Sequence, residues 1–199
     1  MLNAGFATLD NLKHRLLPPA QWEETTWDLA LGKLGLSLAG RMQEHANRDF
    51  CYGTKADEFT ARNYTVTLTT YPVEVITSIQ LRSTDGTLAA MDASYSLDKS
   101  SGVLSFFSPP GDDTQRLVIS YTGGFYLDEF RAPEVTAPQL PDDLLEAWIA
   151  EVQRHAESRS LFDAIALRPA KEADKNPLVN GLTPQCVEAL RPYRRFAGA

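Results

Sequence analysis

Between Trp22 and Phe50 the hydrophobic residues repeat with the period of an α-helix, in the longest helix-compatible segment of the chain that lacks proline. At about 100° per residue, one apolar stripe consists of Trp27, Leu31, Leu34, Leu38 and Met42. A second stripe, on nearly the opposite side, consists of Trp22, Leu29 and Leu36. Because a surface helix of a monomer needs only one apolar stripe, we expect burial on both sides, either inside the domain or against another copy of the chain.

We expect this long helix to start near Gln21 and to stop near Asn47. Three glycines, Gly32, Gly35 and Gly40, lie within it, and each costs about 1 kcal/mol relative to alanine in a helix. They either permit close approach of a neighbouring backbone or, at Gly40, mark a kink. A shorter helix precedes the long one, with Thr8 as its N-cap, and Pro18-Pro19 ends it.

Two further helices are predicted in the last third of the chain. The first starts at Pro141, with acids in its first turn, and runs to about Ser160. Its apolar stripe consists of Leu145, Trp148, Ile149, Val152 and Ala156. The second is short, begins after Thr183-Pro184 and runs from Gln185 to Leu190.

From Glu58 onward the hydrophobic pattern takes the period of a β-strand. Alternation is strict at 73–81, and the residues just before it are rich in threonine and β-branched types. Turn signals such as Asp85-Gly86 separate further short segments up to residue 122. Five or six short strands with turns between them predict a small antiparallel β-sandwich or barrel, inserted between the helices.

These patterns together predict an α+β fold. Residues 1–55 and 140–162 are expected to form a helical core, with a long central helix and flanking helices, and residues 56–125 the inserted β domain. Residues 126–139 lack a periodic pattern and are predicted to be a linker loop. Residues 163–199 are predicted to form an extended C-terminal arm that carries the short helix and a tail.

Composition and charge limit the classes of function. A chain of 199 residues, 43% of them hydrophobic, can form one domain with a sizeable insertion. The formal charge of −7 argues against DNA binding by phosphate neutralisation, but it is compatible with a protein that surrounds DNA without holding it. Cys51 and Cys186 are expected to be free thiols, and neither a signal peptide nor a membrane span is expected.

Residues that could carry chemistry are few and scattered. His14, His45 and His155 are widely spaced on predicted helices, and we expect partly buried, hydrogen-bonded side chains there. Asp112-Asp113 lies in a turn and Asp142-Asp143 in the first turn of a helix, so both acidic pairs have structural reasons. The sequence has neither a phosphate-binding loop nor a zinc-protease pattern. We therefore predict no catalytic residue, cofactor or metal site, and no enzymatic activity.

The C-terminal tail contains arginine and aromatic residues, which are enriched at protein–protein interfaces. They are Arg191, Tyr193, Arg194, Arg195 and Phe196. The tail is either a solvated chain end or an anchor for an acidic partner surface, carried there by the arm from Asp163 to Leu182.

The order of the segments is more specific than any single motif. A long helix ends in an Asn-Arg-Asp-Phe sequence, β segments follow, and a Leu-Pro-Asp-Asp-Leu sequence starts the next helix; these segments are 27–50, 71–79, 95–98, 118–125 and 140–159. Over roughly residues 8 to 160, this order resembles the head–tail connector (adaptor) proteins of long-tailed bacteriophages.

The resemblance implies a structural protein of the virion, located in the neck between capsid and tail after assembly in the host cytoplasm. It implies a homo-oligomeric ring of about twelve subunits beneath the portal protein. Such a ring extends the DNA channel, so genomic double-stranded DNA passes through it without sequence-specific binding. A tail, stopper or tail-terminator protein would dock on it, and no membrane would be involved.

Two sets of residues are then candidate contacts. Trp22, Leu29 and Leu36 are the expected subunit interface, and the five tail residues are expected to dock on the portal or a neighbouring subunit. Two alternatives stay open. The chain is a tail-completion or stopper protein of the same neck, or its β domain is a ligand- or carbohydrate-binding module. The stacking surface of that module would consist of Tyr71, Tyr95, Tyr121 and Phe125.

Overall fold

The computed structural model describes residues 4–23, 25–126, 138–158 and 181–195, and it has the predicted α+β architecture. The chain divides into two compact units. Of the described residues, those in 4–47, 140–158 and 181–194 belong to the helical unit, and those in 48–126, 138–139 and 195 belong to the β unit.

The helical unit contains four α-helices within the described ranges: α1 (Leu9–Leu16), α2 (Asp28–Ala46), α3 (Asp142–Ser158) and α4 (Pro184–Leu190). Threonine side chains fix two of the starts, because each satisfies an amide that the first turn leaves unpaired. Thr8 Oγ1 accepts from the amide of Asn11 and Thr183 Oγ1 from the amide of Cys186, both at 3.2 Å. The sequence predicts the cap at Thr8, and it predicts the start of α4 at Thr183-Pro184 without assigning a cap.

At 19 residues, α2 is the longest helix of the described chain, and its predicted start near Gln21 is wrong. The helix begins at Asp28, after Thr25 and Thr26, which are β-branched residues with low helix propensity. The Asp28 carboxylate lies at the positive end of the helix dipole and pairs with Lys13 at 2.8 Å. The helix ends at Ala46, as predicted, where Asn47 adopts a left-handed conformation with φ 52°.

The two tryptophans assigned to this helix lie outside it. Trp22 follows a 3₁₀ turn, Pro19–Gln21, and its Nε1 donates to the carbonyl oxygen of Leu17 at 3.0 Å. Its ring contacts the His14 imidazole at 4.2 Å between centroids. Trp27 is the N-cap residue of α2 and is half-buried. Trp22 therefore does not extend the stripe of Leu29 and Leu36, and that part of the prediction is wrong.

The inner face of α2 packs in the core of the helical unit. As predicted, the buried residues of this face include Leu31, Leu34, Leu38 and Met42. On α3 the buried residues are Leu144, Trp148, Ile149, Val152 and Ala156, whereas the predicted Leu145 is half-buried. The apolar stripe of α3 thus begins one residue earlier than the sequence pattern indicates.

The short helix α4 belongs to this same core. Leu182, Cys186 and Leu190 are buried within the helical unit. We had predicted this helix as part of an extended arm; its apolar spacing of four residues instead gives it one buried face. Most of the predicted arm, residues 163–180, and most of the predicted linker loop, residues 127–137, lie outside the described residues.

The β unit contains two open antiparallel sheets. Its strands are β1 (Gly53–Thr60), β2 (Thr65–Thr67), β3 (Val73–Arg82), β4 (Leu88–Ala90), β5 (Tyr95–Asp98), β6 (Val103–Phe106) and β7 (Arg116–Gly123). One sheet has the order β1-β7-β3-β4 and the other the order β2-β6-β5. Both contribute side chains to one apolar core, which includes Val66, Leu68, Leu104, Leu117 and Ile119. Of the two predicted forms, the closed barrel is therefore wrong.

Strand boundaries differ from the prediction in two places. β1 begins at Gly53, five residues before the predicted Glu58. Its exposed residues are Thr54, Ala56 and Glu58, and the half-buried residues between them include Lys55 and Asp57, so its first half shows no alternation of apolar and polar side chains. β4 was not predicted, since all three of its residues are exposed and leave no alternating pattern. The β unit thus has seven strands within the described residues, against five or six expected.

Candidate interaction surfaces

The outer face of α2 exposes two large apolar side chains. Leu29 is 70% exposed and Leu36 is 49% exposed, whereas the leucines of the inner face are buried. The two lie seven residues apart and therefore on the same side of the helix. The structure accordingly places Leu29 and Leu36 together on one exposed face of α2.

Two glycines border Leu36 on this face. A Cβ atom added to Gly32 or to Gly40 would meet no atom within 4 Å beyond its own stretch of helix, so packing among the described residues requires neither glycine. Gly35, on the inner face, is different: its added Cβ would lie 2.2 Å from the carbonyl oxygen of Ala4. A solvent-facing helix position occupied by glycine costs about 1 kcal/mol relative to alanine. We define the outer face of α2 as Leu29, Gly32, Lys33, Leu36 and Gly40.

Lys33 lies between the two exposed leucines. It is exposed, and its ammonium group makes no hydrogen bond or ion pair within the described residues. The outer face of α2 therefore combines two apolar side chains, two positions without side chains and one unpaired positive charge. The spacing of the leucines in the sequence predicts that they share a face, whereas it assigns the glycines to no face.

The tail residues are only in part available to a partner. The Tyr193 hydroxyl donates to the Asp143 carboxylate, with oxygen distances of 2.9 and 3.0 Å. Arg195 donates to the carbonyl oxygen of Thr67 within the β unit. Arg191 pairs at 3.2 Å with Glu188, and both are exposed.

Arg194 is the remaining arginine of the tail. It is exposed and has no partner in the described chain, while Phe196 lies outside the described residues. Two of the five predicted docking residues, Tyr193 and Arg195, thus hold the tail to its own subunit.

The four aromatics of the alternative stacking surface do not form one. Tyr121 is fully buried, and its hydroxyl accepts from the amide of Thr70 at 3.0 Å and donates to Asp57 at 2.9 Å. Burial is the main cause that raises the pKa of Tyr121. Phe125 is also buried, in contact with Phe50. These contacts explain the residues as core, and the predicted stacking surface is wrong.

A buried arginine explains Tyr71, the third of these aromatics, whereas Tyr95 is 38% exposed. The Arg48 guanidinium lies 3.4 Å from the centroid of the Tyr71 ring and donates to the carbonyl oxygen of Tyr71. Phe50 and Phe125 lie further around it, at 4.9 and 5.4 Å. Cation–π contacts of this kind compensate the desolvation of the charge. The sequence did not predict this cluster, because its residues lie as far apart in the chain as Arg48 and Phe125.

A second buried charged residue, Glu151, accepts several hydrogen bonds near the end of α3. Glu151 is 1% exposed and accepts hydrogen bonds from the amide of Thr183 at 2.8 Å and from the Thr183 hydroxyl. Arg154 donates to the same carboxylate at 3.1 Å. His155 contacts the carbonyl oxygen of Gly181 at 3.2 Å, and burial is the main cause that lowers its pKa. These bonds attach the start of α4 to α3, and they account for His155 as a structural residue.

Three further features of the described part of the chain concern metal binding, membrane-spanning helices and cysteine reactivity. It contains no group of three or more His, Cys, Asp or Glu side chains placed to hold a metal ion. None of its helices is both long and apolar enough to cross a membrane. Burial raises the pKa of the Cys186 thiol to about 12, so this cysteine is not a nucleophile at neutral pH.

Comparisons with known proteins place the fold. No family model matches the chain, and no curated protein matches it. A chain in the neck of an empty gene transfer agent (GTA) particle, computed with C6 symmetry, is similar with a TM-score of 0.62 and 18% identity, over 96% of this chain and 91% of that one. A chain of the native GTA virion has a TM-score of 0.62 and 16% identity, over 100% and 94%.

A third similar chain comes from the neck of the native GTA particle computed with C12 symmetry, with a TM-score of 0.57 and 16% identity, over 96% and 91% of the two chains. At these identities the likeness is one of fold. The protein therefore has the fold of chains found in neck and virion structures of GTA particles, along nearly its whole length.

Proposed function

We propose that the protein is a structural head–tail connector, or adaptor, of a phage-like virion. Copies of the chain form a ring beneath the portal protein, extend the DNA channel and present a docking surface to a tail or stopper protein. The observation that carries this proposal is the similarity of the complete fold to neck chains, two of them from structures computed with C6 and C12 symmetry. A ring of about twelve subunits agrees with the second of these symmetries.

The outer face of α2 is a feature of this protein itself that supports the proposal. Leu29 and Leu36 are exposed, and Gly32 and Gly40 allow another backbone to approach closely, although no side chain of the described residues uses that space. Such a face is costly for a monomer, since it exposes apolar area and weakens the helix. A subunit interface explains both features.

Charge supports the role of a channel that does not retain DNA. The chain carries a formal charge of −7, and fixed positive charges in a channel would bind DNA through counterion release. At the tail, Arg191 and Arg194 are the exposed arginines. We assign the docking on the portal or a neighbouring subunit to these two residues, while Tyr193 and Arg195 position the tail.

Electron microscopy of particles that carry a peptide tag after Ala199 tests the proposal, with an antibody fragment as the label. We expect a ring of label at the junction of capsid and neck. Label confined to the tail-proximal end of the neck would identify a stopper or tail-completion protein instead. Particles without label at the neck would contradict both roles.

A further inference from the structure

This inference rests on the proposed ring and concerns how its subunits meet. In a closed ring of more than two identical subunits, each contact joins two different surfaces of the chain, because the rotation that relates neighbours is not a twofold. The outer face of α2 therefore needs a different, complementary surface on the next copy. A contact between two α2 helices would also place two Lys33 charges in one seam.

Three exposed aromatic residues lie at or next to the ends of neighbouring strands, at one end of the three-stranded sheet. We define this aromatic end as Tyr64, Tyr95 and Phe107, which are 57%, 38% and 76% exposed. The amide of Phe106 donates to the carbonyl oxygen of Tyr64 at 2.7 Å, and the amide of Phe107 donates to that of Ser94 at 3.3 Å. These bonds hold the ends of β2, β6 and β5 side by side. Phe107 is the most exposed large hydrophobic residue of the described chain.

One unpaired charge accompanies the aromatic end. Asp92 lies two residues before Ser94, is exposed, and has no hydrogen bond or ion pair among the described residues. The acids of the loop that follows β6 are engaged within the subunit: Asp113 pairs with Arg62 at 2.7 Å, and Asp112 accepts from the Thr114 hydroxyl. The aromatic end thus offers bulky apolar groups and one free negative charge.

We propose that the aromatic end of one copy packs on the outer face of α2 of the next copy around the ring. The two surfaces complement each other in shape, since Gly32 and Gly40 leave hollows on both sides of Leu36 that an aromatic ring fills. They complement each other in charge, since Lys33 on one surface and Asp92 on the other are both unpaired. Each copy carries both surfaces, so the contact joins two different surfaces, as the contacts of a ring do.

Charge exchange in the full-length protein tests this contact. We compare wild type with Lys33→Glu, Asp92→Lys and the double variant that carries both, by native mass spectrometry and sedimentation, alone and with portal added. Glu23→Lys is the control, because Glu23 is exposed, has no partner in the described chain and lies outside both surfaces. Far-ultraviolet circular dichroism checks that each variant is folded.

Each single reversal brings two like charges together, so we expect it to raise the concentration needed for assembly at least about tenfold. The double variant restores opposite charges and should assemble within about threefold of wild type. Single variants that assemble like wild type, or a double variant no better than the singles, would overturn this contact and leave the ring itself intact. A wild-type chain that never oligomerises, with or without portal, would contradict the ring as well as the contact.

Discussion

The indole Nε1 of Trp148 donates a hydrogen bond to the carbonyl oxygen of Gly35 at 3.0 Å, and both residues are buried. A tryptophan of α3 thus lies directly against the backbone of α2. This approach is possible because Gly35 has no side chain: a Cβ atom there would lie 3.0 Å from the Trp148 ring. The inner glycine of α2 is therefore part of the fold, whereas Gly32 and Gly40 on the outer face are free for another role.

We predict that Gly35→Ala destabilises the folded subunit by about 2 kcal/mol or more, as overpacking in a core does. The added methyl group would collide with the carbonyl oxygen of Ala4 and press on Trp148. Urea unfolding monitored by tryptophan fluorescence measures the loss. An unchanged unfolding midpoint would show that Gly35 is not tightly enclosed.

Gly40→Gln should have the opposite effect on the subunit. An ordinary side chain at an open helix position stabilises the fold by about 0.5–1 kcal/mol, and no atom of the described chain lies in its way. We expect assembly to weaken at the same time, because the new side chain fills the hollow beside Leu36. Unfolding and sedimentation on the same sample separate the two effects. A more stable subunit that assembles as well as wild type would exclude Gly40 from the seam.

Leu36→Glu should leave the fold intact and prevent ring formation, because Leu36 is half-exposed in the subunit. Leu31→Glu is the matched control on the same helix, since Leu31 is buried and its replacement should unfold the protein. Circular dichroism and size-exclusion chromatography distinguish the outcomes. If Leu36→Glu unfolds like Leu31→Glu, the helix is buried on both sides within the subunit and the seam lies elsewhere.

Stability should fall when the pH is lowered from about 7.5 to about 5.5, in part through His155. Burial lowers the pKa of His155 in the folded state, so the unfolded chain binds the proton first as the pH drops past the ordinary value of 6.5. Arg154 and Arg41 oppose its positive charge and Glu151 favours it. His155→Gln should reduce this pH dependence relative to wild type. Equal slopes of unfolding free energy against pH would contradict the assignment.

In the tail, we expect Arg194→Glu to impair attachment to the portal without loss of stability, because Arg194 is exposed and has no partner in the described chain. Deletion of Arg191 to Ala199 should also block the joining of heads and tails. The deletion is less selective, since it removes the bond from Tyr193 to Asp143. Pull-down with purified portal compares the two variants. Wild-type binding by both would rule out the tail as an anchor.

Features encoded by residues close in sequence could be predicted. The cap at Thr8, the helix start at Thr183-Pro184 and the buried leucines on the inner face of α2 follow from local spacing, and the structure confirms them. The start of α2 was missed because Trp22 continues the heptad spacing of the leucines while its side chain belongs to a separate 3₁₀ turn. The spacing of hydrophobic residues alone does not distinguish a residue of the helix from a residue before the helix that continues the same spacing.

Features formed by residues distant in sequence could not be predicted. The Arg48 cluster needs Tyr71 and Phe125 beside one guanidinium, and Glu151 needs Thr183 as its donor. No local pattern marks a buried charge, because its partners are chosen by the fold. The exposed aromatics Tyr64 and Phe107 carried no periodic signal either, and only their measured exposure identifies them as a surface.

The central claim is that this chain forms a ring in the neck through the outer face of α2. Cryo-electron microscopy of particles assembled with it, at a resolution that shows side chains, tests this most directly. We predict a closed ring beneath the portal in which Leu29 and Leu36 are covered by the neighbouring subunit. A neck without this chain, or a ring in which the outer face of α2 remains in solvent, would contradict the claim.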